Sequence, residues 1–577
     1  MTMEKIKRLP YGIMDFETLQ KMGMYLVDKT MYIPKMEDAG NFLFLIRPRR
    51  FGKSVFLSML ADYYDIEKQD CFDELFADTW IHDNPTEEKG GYQVLALDFS
   101  KAAGGKIDTL HDDFHRYCSD KLINFAKRYA KYYDPDFVRQ VEKRAPESIS
   151  QMTYIFDEAR LHGHQLYLIV DEYDNFTNDV FNEHGEKVYH DLTHASGFYR
   201  QIFKKFKGSF QRILMMGVSP VTLDDLTSGY NIALNITADT DFNMMLGFSE
   251  TDVREMIRYY KVAGRITADE DDLIEEMKPW YDNYCFAEDS YGHDPSMFNC
   301  TMVLNYLNTL IKTGKRPKQM LDKNTRTDYK KLKKLVELDS FGDDERCHLR
   351  EIISEGTITA KLESSFPAER MFEPDNFISL LYYYGMLTIT GTRGFRLKLS
   401  IPNNSVRQQY YDYILEEFQN VSKVNLNWIS DLIEGMAYRG QWREALTAIA
   451  EKYKDQSSVR SAIEGERNLQ GYFTAYLGLA LVYIMAPEVE LNHGYCDLFL
   501  LPDLKLYPDV AHSYIIELKY LKASEGDDKA EKQWNEAIEQ IRGYAQGEKV
   551  RLMAGSTTLH CIIIQVRDYD LLRIAEV

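Results

Sequence analysis

The chain has few cysteines, prolines and tryptophans for its length: 7, 16 and 5 in 577 residues. The cysteines are scattered with no C-x-x-C pair, which excludes a zinc ribbon and a disulfide framework and fits a reduced, cytoplasmic thiol set. Long apolar runs are also scarce. The longest, Tyr472 to Ala486, falls short of the roughly 20 residues a bilayer crossing needs, so a core helix is expected there and no membrane partner. No leader pattern opens the sequence, because Lys5, Lys7 and Arg8 precede Pro10-Tyr11-Gly12 rather than an apolar core. Positive charge is in deficit, with a net charge of −21. No global field draws the protein to nucleic acid, so any such contact needs local basic patches or metal-bridged phosphates. Low-complexity tracts are missing, and 40 tyrosines with 30 phenylalanines argue against disorder. The length exceeds what one core supports, so several domains are expected.

Asn41 to Leu60, NFLFLIRPRRFGKSVFLSML, organises the front of the chain. An apolar strand pattern (Phe42 to Ile46) stops at a Pro/Arg/Gly turn, and a helix pattern restarts at Lys53. This is the layout of a phosphate-binding loop. Gly52 lets the backbone close on a phosphate, Lys53 reaches the β- and γ-phosphates, and the Ser54 hydroxyl ligates Mg²⁺. Arg49, Arg50, Phe51 and Val55 complete the candidate nucleotide-binding set. Arg47 stands where the general pattern has its first glycine. A second element, Gln165 to Asn175 (QLYLIVDEYDN), is a buried-strand run ending on Asp171 and Glu172. An acid at this strand end holds Mg²⁺, and the next one polarises the attacking water. Two further strands, Val94 to Phe99 and Ile213 to Val218, are followed in the second case by Ser219, a candidate γ-phosphate sensor. Apolar strands alternating with helical stretches predict a doubly wound α/β domain with its ligand at the strand C-termini.

LPYGIMDFETL (Leu9 to Leu19), YLVDKT (Tyr25 to Thr30), RPRRFGKS and VDEYD together resemble the AAA-ATPase-like family of bacterial and archaeal proteins. Arg at the first-glycine position is characteristic of that family. The similarity runs through LGFSETDV (Leu246 to Val253) and WYDNY (Trp280 to Tyr284). It departs at Asn283, where the family usually has Gly, and at His293 to Ser296, where Asn-Pro is more usual. The resemblance implies ATP and Mg²⁺ as cofactors, a P-loop core over 1–245 and a helical lid over 246–335.

Other features offer ligand readings. A contact of Tyr25 or Asp28 with adenine is one reading of the YLVDKT segment. His111 and His115, like His190 and His194, lie one helical turn apart but lack the Glu of H-E-x-x-H, so surface histidines are expected. Arg254 and Arg258 on the expected lid helix could reach phosphate, with a solvated face the better reading. For Arg47, Arg49 and Arg50 the readings are phosphate binding, supply of an arginine to a neighbouring subunit, or packing on the domain surface. The basic run from Thr313 to Lys334 reads as a solvated helix face, with nucleic-acid contact as the alternative. Phe377 to Pro402, a helix, a turn and a Gly-Thr-Arg-Gly hairpin, resembles a winged-helix module, and helices from Val406 to Tyr453 read as a connector. Together these make 336–455 a winged-helix-like and helical middle.

The last third carries a second constellation. Gly494 to Leu500 reads as a turn into a strand bearing Asp497, and Tyr514 to Lys519 (YIIELK) as another strand. Glu517 and Lys519 share a face because strand side chains alternate. An Asp on one strand and a Glu on its neighbour can hold Mg²⁺ or Mn²⁺ through oxygen ligands. A lysine beside them can orient the water that attacks a phosphodiester. Gln540 and Tyr544 lie one turn apart on a following helix. In this order the elements resemble the PD-(D/E)XK nuclease superfamily over Glu464 to Val577, within an expected domain 456–577. The resemblance implies metal ligands at Asp497 and Glu517, a catalytic lysine at Lys519, a helix acid at Glu466 and a helix glutamine at Gln540. Tyr495 replaces an Arg frequent in the subfamily.

The sequence therefore leads to an ATP-hydrolysing domain, a winged-helix-like middle and a metal-dependent nuclease domain of restriction-endonuclease-like α/β fold. DNA is preferred to RNA as substrate, and ATP state is expected to gate cleavage. The alternative is a nucleotide-dependent switch whose nuclease-like domain binds a partner without cutting. Assembly into a homo-oligomer stays open.

Overall fold

The structure, a computed structural model, describes residues 6–102, 107–193, 197–221, 233–317, 319–321, 348–371, 373–410, 426–455, 466–479, 482–491, 494–502, 504 and 507–577. His194 and most of the basic run, 322–334, lie outside these. The chain divides into two compact units, Met1–Pro317 with Thr359–Asn403, and Lys318–Ile358 with Asn404–Val577.

The first unit is built on five strands: β1 Phe42–Ile46, β2 Tyr92–Asp98, β3 Gln165–Asp171, β4 Arg212–Gly217 and β5 Leu234–Asn235. They form one sheet in the order β2-β3-β4-β1-β5, and every pairing is parallel. Leu43 to Ile46 of β1 and all of β4 are buried, which is why these strands read as continuous apolar runs rather than alternating ones. The doubly wound expectation holds. Strand β4, late in the sequence, inserts between β1 and β3, so the ends of the phosphate-loop strand and the acidic strand flank the β4 end. The helix Lys53–Tyr64 starts at Gly52, whose φ of +88° is open to glycine at little cost. It presses Tyr64 against Tyr167 of β3, ring centroids 4.9 Å apart.

Three helices follow the sheet: Glu250–Val262, Glu270–Tyr281 and Cys300–Thr313. The first opens on a capping box of Ser249 and Asp252. Arg254 is bound by Glu250, Glu270 and Asp271, and Arg258 by Glu270, so both arginines lace helices together on a half-exposed face. Asn283 takes a φ of +77°, a left-handed conformation that Asn tolerates better than most residues. This accounts for its standing where a glycine is usual. Asp28 accepts from the backbone N–H groups of Thr30 and Trp80, and Tyr25 packs on Tyr259 and Tyr260. Both side chains thus serve local architecture. His115 departs from expectation. It is 7% exposed and bonded to Ser148, because its face of the helix Leu110–Arg128 packs inward, and burial lowers its pKa. A three-stranded sheet, β6 Thr357–Ala360, β7 Thr388–Arg393 and β8 Arg396–Ser400 in the order β6-β8-β7, accompanies the helix Pro374–Tyr383.

The second unit carries β9 Tyr483–Leu491, β10 Gly494–Pro502, β11 His512–Leu521, β12 Thr558–Arg567 and β13 Asp570–Glu576, in the order β13-β12-β11-β10-β9. Strands β9, β10 and β11 are antiparallel neighbours, whereas β11 and β12 are parallel. The parallel step requires a crossover, which the helix Asp527–Ala545 supplies. The core-helix expectation for Tyr472 to Ala486 fails. The helix Glu466–Leu477 ends before Gly478, and β9 starts at Tyr483. Glycine favours a helix end and the β-branched and aromatic residues beyond it favour a strand, so one apolar run serves two elements.

The helix after the phosphate loop also bears a buried acid. Asp62 is raised by burial to about 6, against the opposing charge of Lys68, 3.7 Å away. The folded chain therefore holds this proton more tightly than the unfolded chain. The associated stability is complete below about pH 4 and is lost as pH rises through about 6. Between those limits the wild type is expected to lose on the order of 2 kcal/mol at this site, a loss that Asp62→Asn removes. Denaturant melts at acid and neutral pH would check the difference.

Candidate nucleotide and metal sites

The turn between β1 and its helix is fixed by contacts that the residue types alone only hint at. Phe51 is buried and meets Tyr284 and Phe286 edge-on at 4.8 and 5.4 Å. The carbonyls of Phe51 and Arg50 accept from the N–H groups of Gly247 and Thr301, at 3.0 and 3.4 Å. The Arg49 carbonyl accepts from the Asn299 side chain at 3.4 Å. Arg50 is one of four non-glycine residues described with positive φ. With the outward carbonyls taken up in this way, the loop between Pro48 and Lys53 is held as a curved nest.

Lys53 is 6% exposed, and its ammonium donates to the carbonyls of Arg47 and Pro48 at 3.0 and 2.9 Å. Burial lowers its pKa, while Asp171, Glu172 and Asp174 oppose that shift. Ser54 donates its hydroxyl to Asp171 Oδ2 at 2.6 Å. A serine at the first turn of the helix therefore meets the acid ending β3, the pair of oxygens a Mg²⁺ ion takes beside a triphosphate. The donor set fits such an ion: both groups are half-buried and offer oxygen, and among the described residues no arginine is bonded across them. Asp171 and Glu172 are both raised in pKa by burial, offset by the Ser54 bond for Asp171 and by Arg49 for Glu172. Glu172 has φ +49°, a strained conformation for a non-glycine residue at the mouth of the site. Val55 is half-buried in the same first turn.

Arg47 does none of the things expected of it. Its guanidinium is fully buried and donates to the carbonyls of Ile46, Thr237 and Phe242 at 3.0, 2.7 and 2.9 Å. It also lies 4.3 Å over the Phe286 ring. The side chain points into the domain, away from any phosphate and from the surface, and burial lowers its pKa to about 10. Ser219 is fully buried, with its N–H bonded to Asp174 Oδ2 at 2.8 Å. Asp174, which sequence reasoning passed over, takes the N–H groups of both Val218 and Ser219. It locks the end of β4 to the loop that carries Asp171 and Glu172. The only signal for it was the final Asp of VDEYD.

In the second unit the antiparallel register of β10 and β11 runs to Leu498 opposite Ile516, and Asp497 and Glu517 follow one step beyond on the two strands. Asp497 Oδ2 accepts from the Leu518 N–H at 2.7 Å. Glu517 Oε1 accepts from Lys519 Nζ at 2.8 Å, and these two side chains are 3% and 11% exposed. Gln470 donates to the Asp497 carbonyl at 2.7 Å, tying the helix that Glu466 begins to the acidic strand. Glu466 itself lies one turn before Gln470 on that helix. Tyr544 is buried, and its phenol is raised to about 12 by burial first and then by the charges of Glu517 and Asp497. The crossover helix thus turns Tyr544 towards the carboxylates, while Gln540, a turn earlier, is exposed. The paired carboxylates fit a divalent cation by the chemistry of their oxygens. Another group with ligand-type side chains, Asp134, Glu158 and His162, is less suited, since His162 Nδ1 is engaged by the Glu158 carbonyl and Asp134 is exposed.

These geometries make a candidate nucleotide site in the first unit and a candidate acidic metal site in the second. Comparison with known proteins agrees: residues 10–227 match the family described as predicted AAA-ATPase, and residues 464–576 the PD-(D/E)XK nuclease superfamily. The chain carries an AAA-ATPase-like domain and, at its C-terminal end, a domain of the PD-(D/E)XK nuclease superfamily. An uncharacterized protein in the vnfD 5′ region of Azotobacter chroococcum mcd 1 is 25% identical over 280 residues, 48% of this chain. The match spans about half the length of that curated relative, 48%. Among solved structures, the Aeropyrum pernix ORC1 protein in complex with DNA aligns over 68% of this chain and 95% of its own, at 9% identity and a TM-score of 0.27. The Aeropyrum pernix ORC2 protein aligns over 67% and 93%, at 11% identity and a TM-score of 0.25. No helix among the described residues is long and apolar enough to cross a membrane.

The buried Arg47 yields a stability prediction. Arg47→Met removes three hydrogen bonds, and although the Phe242 carbonyl keeps the Met245 N–H, the change is expected to cost roughly 3 kcal/mol. Thermal melting should fall accordingly. Arg49→Met, at a half-exposed position, should melt close to wild type.

Proposed function

We propose that the protein hydrolyses ATP at the β1/β3/β4 strand ends and cleaves DNA at the Asp497–Glu517 site, with ATP state gating cleavage. The observation that carries the first half is the Ser54–Asp171 bond of 2.6 Å beside a buried Lys53. On this reading Lys53 exchanges its two carbonyl partners for the β- and γ-phosphate oxygens, and the loop N–H groups from Arg49 to Val55 surround them. Asp171 and Ser54 would hold Mg²⁺, which supplies charge neutralisation at the β- and γ-oxygens. Glu172 accepts a proton from the attacking water, and its raised pKa keeps it nearer the range useful to a base. Ser219, fixed by Asp174, reports on the γ-position.

For the second half, Asp497 and Glu517 would hold Mg²⁺ or Mn²⁺, which stabilises charge developing on a phosphodiester. Lys519, already bonded to Glu517, orients the nucleophilic water on the same strand face. Glu466 and Gln540 are assigned to the periphery of this site, as helix acid and helix glutamine.

Three variants test the reading in purified full-length protein. Glu172→Gln is expected to slow ATP turnover about a hundredfold or more while nucleotide binding persists. ATP turnover unchanged in that variant would overturn the assignment. Glu517→Ala should abolish nicking of DNA with Mg²⁺ or Mn²⁺. Absence of cleavage by wild type on duplex, single-stranded and RNA substrates would favour a nucleotide switch with a binding domain. Gating predicts that Lys53→Ala changes nicking along with ATP turnover, and nicking unaltered at every nucleotide concentration would refute it.

A further inference from the structure

The hairpin of β7 and β8 carries residues for which the fold has no use. Its two-residue loop is Gly394-Phe395, with positive φ at Gly394 alone, as in a type II′ turn with glycine at the first central position. Nothing in that geometry asks for an aromatic residue second. Yet Phe395 is fully exposed, at 105%, more than any other large hydrophobic residue described. Beside the loop, Arg393 pairs directly with Arg396 across the strands. Like charges facing one another on a sheet are destabilising. Asp375 takes up Arg396, but Arg393 and Lys398 are exposed and form no ion pair among the described residues. Arg396 and Lys398 alternate onto one face of β8, and Arg393 faces it from β7. Positions 376–411 contain none of the chain's 90 acidic residues. In a protein of net charge −21 this stretch of chain carries only positive charge around an apolar tip.

We propose that this hairpin is a docking wing for duplex DNA. Phe395 wedges at a base step from the minor groove, and Arg393 and Lys398 lie against the phosphates beside it. A polyanion relieves the like-charge pair that the free protein tolerates. A flat aromatic tip between two cationic strands suits an apolar wedge flanked by phosphate contacts. An acidic protein surface would meet the same charges but would leave Phe395 without a stack of bases to enter. The proposal rests on the reading that this chain acts on DNA, and it locates the contact on the unit that holds the nucleotide site.

The test is fluorescence anisotropy of full-length protein with a short labelled duplex, in EDTA so that no cutting intervenes, over a range of salt. Phe395→Ala is expected to weaken duplex binding about tenfold with little change in salt dependence. Arg393→Gln with Lys398→Gln should lower the slope of log affinity against log salt by about two. Because all three side chains are exposed, thermal melting should not move. Duplex affinity and slope unchanged in both variants would overturn the proposal. So would wild-type protein that binds single strands, RNA or no nucleic acid in place of duplex. Cleavage by Glu517→Ala is scored separately in Mg²⁺. Retained cutting there with weakened duplex binding in the wing variants sinks the nuclease assignment and leaves the wing standing.

Discussion

A buried ammonium sits where β1 gives way to its helix, and the first unit is arranged around keeping it charged. Lys53 is almost wholly removed from water, and an isolated ammonium there would deprotonate or pull the loop apart. Two backbone carbonyls reach it because Pro48 and the left-handed Arg50 and Gly52 curl the chain back. Three acids on the β3 end oppose the desolvation. Each arrangement implies the next: the acids must end a strand near β1, so β4 must intervene, and its end must be tied down. Asp174 does the tying, through the N–H groups of Val218 and Ser219.

Arg47 extends the same logic inward. The general phosphate-loop pattern has glycine there, and an arginine at that place suggests added positive charge for phosphate. Its guanidinium instead joins the end of β1 to the segment around Thr237 and Phe242 and stacks on Phe286. Phe286 and Tyr284 in turn flank Phe51. The arginine at the first-glycine position is thus a brace behind the loop.

What could be read in advance follows from range. Strand identity, the loop motif and both acidic strand ends are local patterns of apolar runs, glycine and charge, and they stand in the structure as the residues suggested. The two acids of the second unit were also legible, since Glu517 and Lys519 two apart on a strand must share a face. Long-range contacts were not. Nothing near Arg47 in sequence reveals carbonyls some two hundred positions away, and His115 looked solvated because Ser148 arrives from another helix. Gln470 and Tyr544, which frame the second site, are chosen by how helices lie on the sheet. Tyr472 to Ala486 misled because length and hydropathy do not separate a helix followed by a strand from one helix; Gly478 was the local clue.

Both sites treat carboxylates differently from the rest of the protein, and the contrast bears on function. Around the helices at Glu250 and Glu270, acids are saturated by Arg254, Arg258 and Lys278, and such pairs are architecture. Asp171 is held by a serine hydroxyl and the Glu172 N–H, and Asp497 by the Leu518 N–H. These are donors that orient a carboxylate without cancelling its charge. Glu517 has a lysine as partner, yet on its own strand, where the ammonium can serve a neighbouring ligand as well as the carboxylate. At Asp171 burial outweighs the opposing charge of Lys53 and raises the carboxyl pKa, so part of the desolvation penalty remains. A divalent ion would offset such a penalty, which is the physical reason for proposing the β3 end and the acidic pair on β10 and β11, among so many acids, as the places where chemistry occurs.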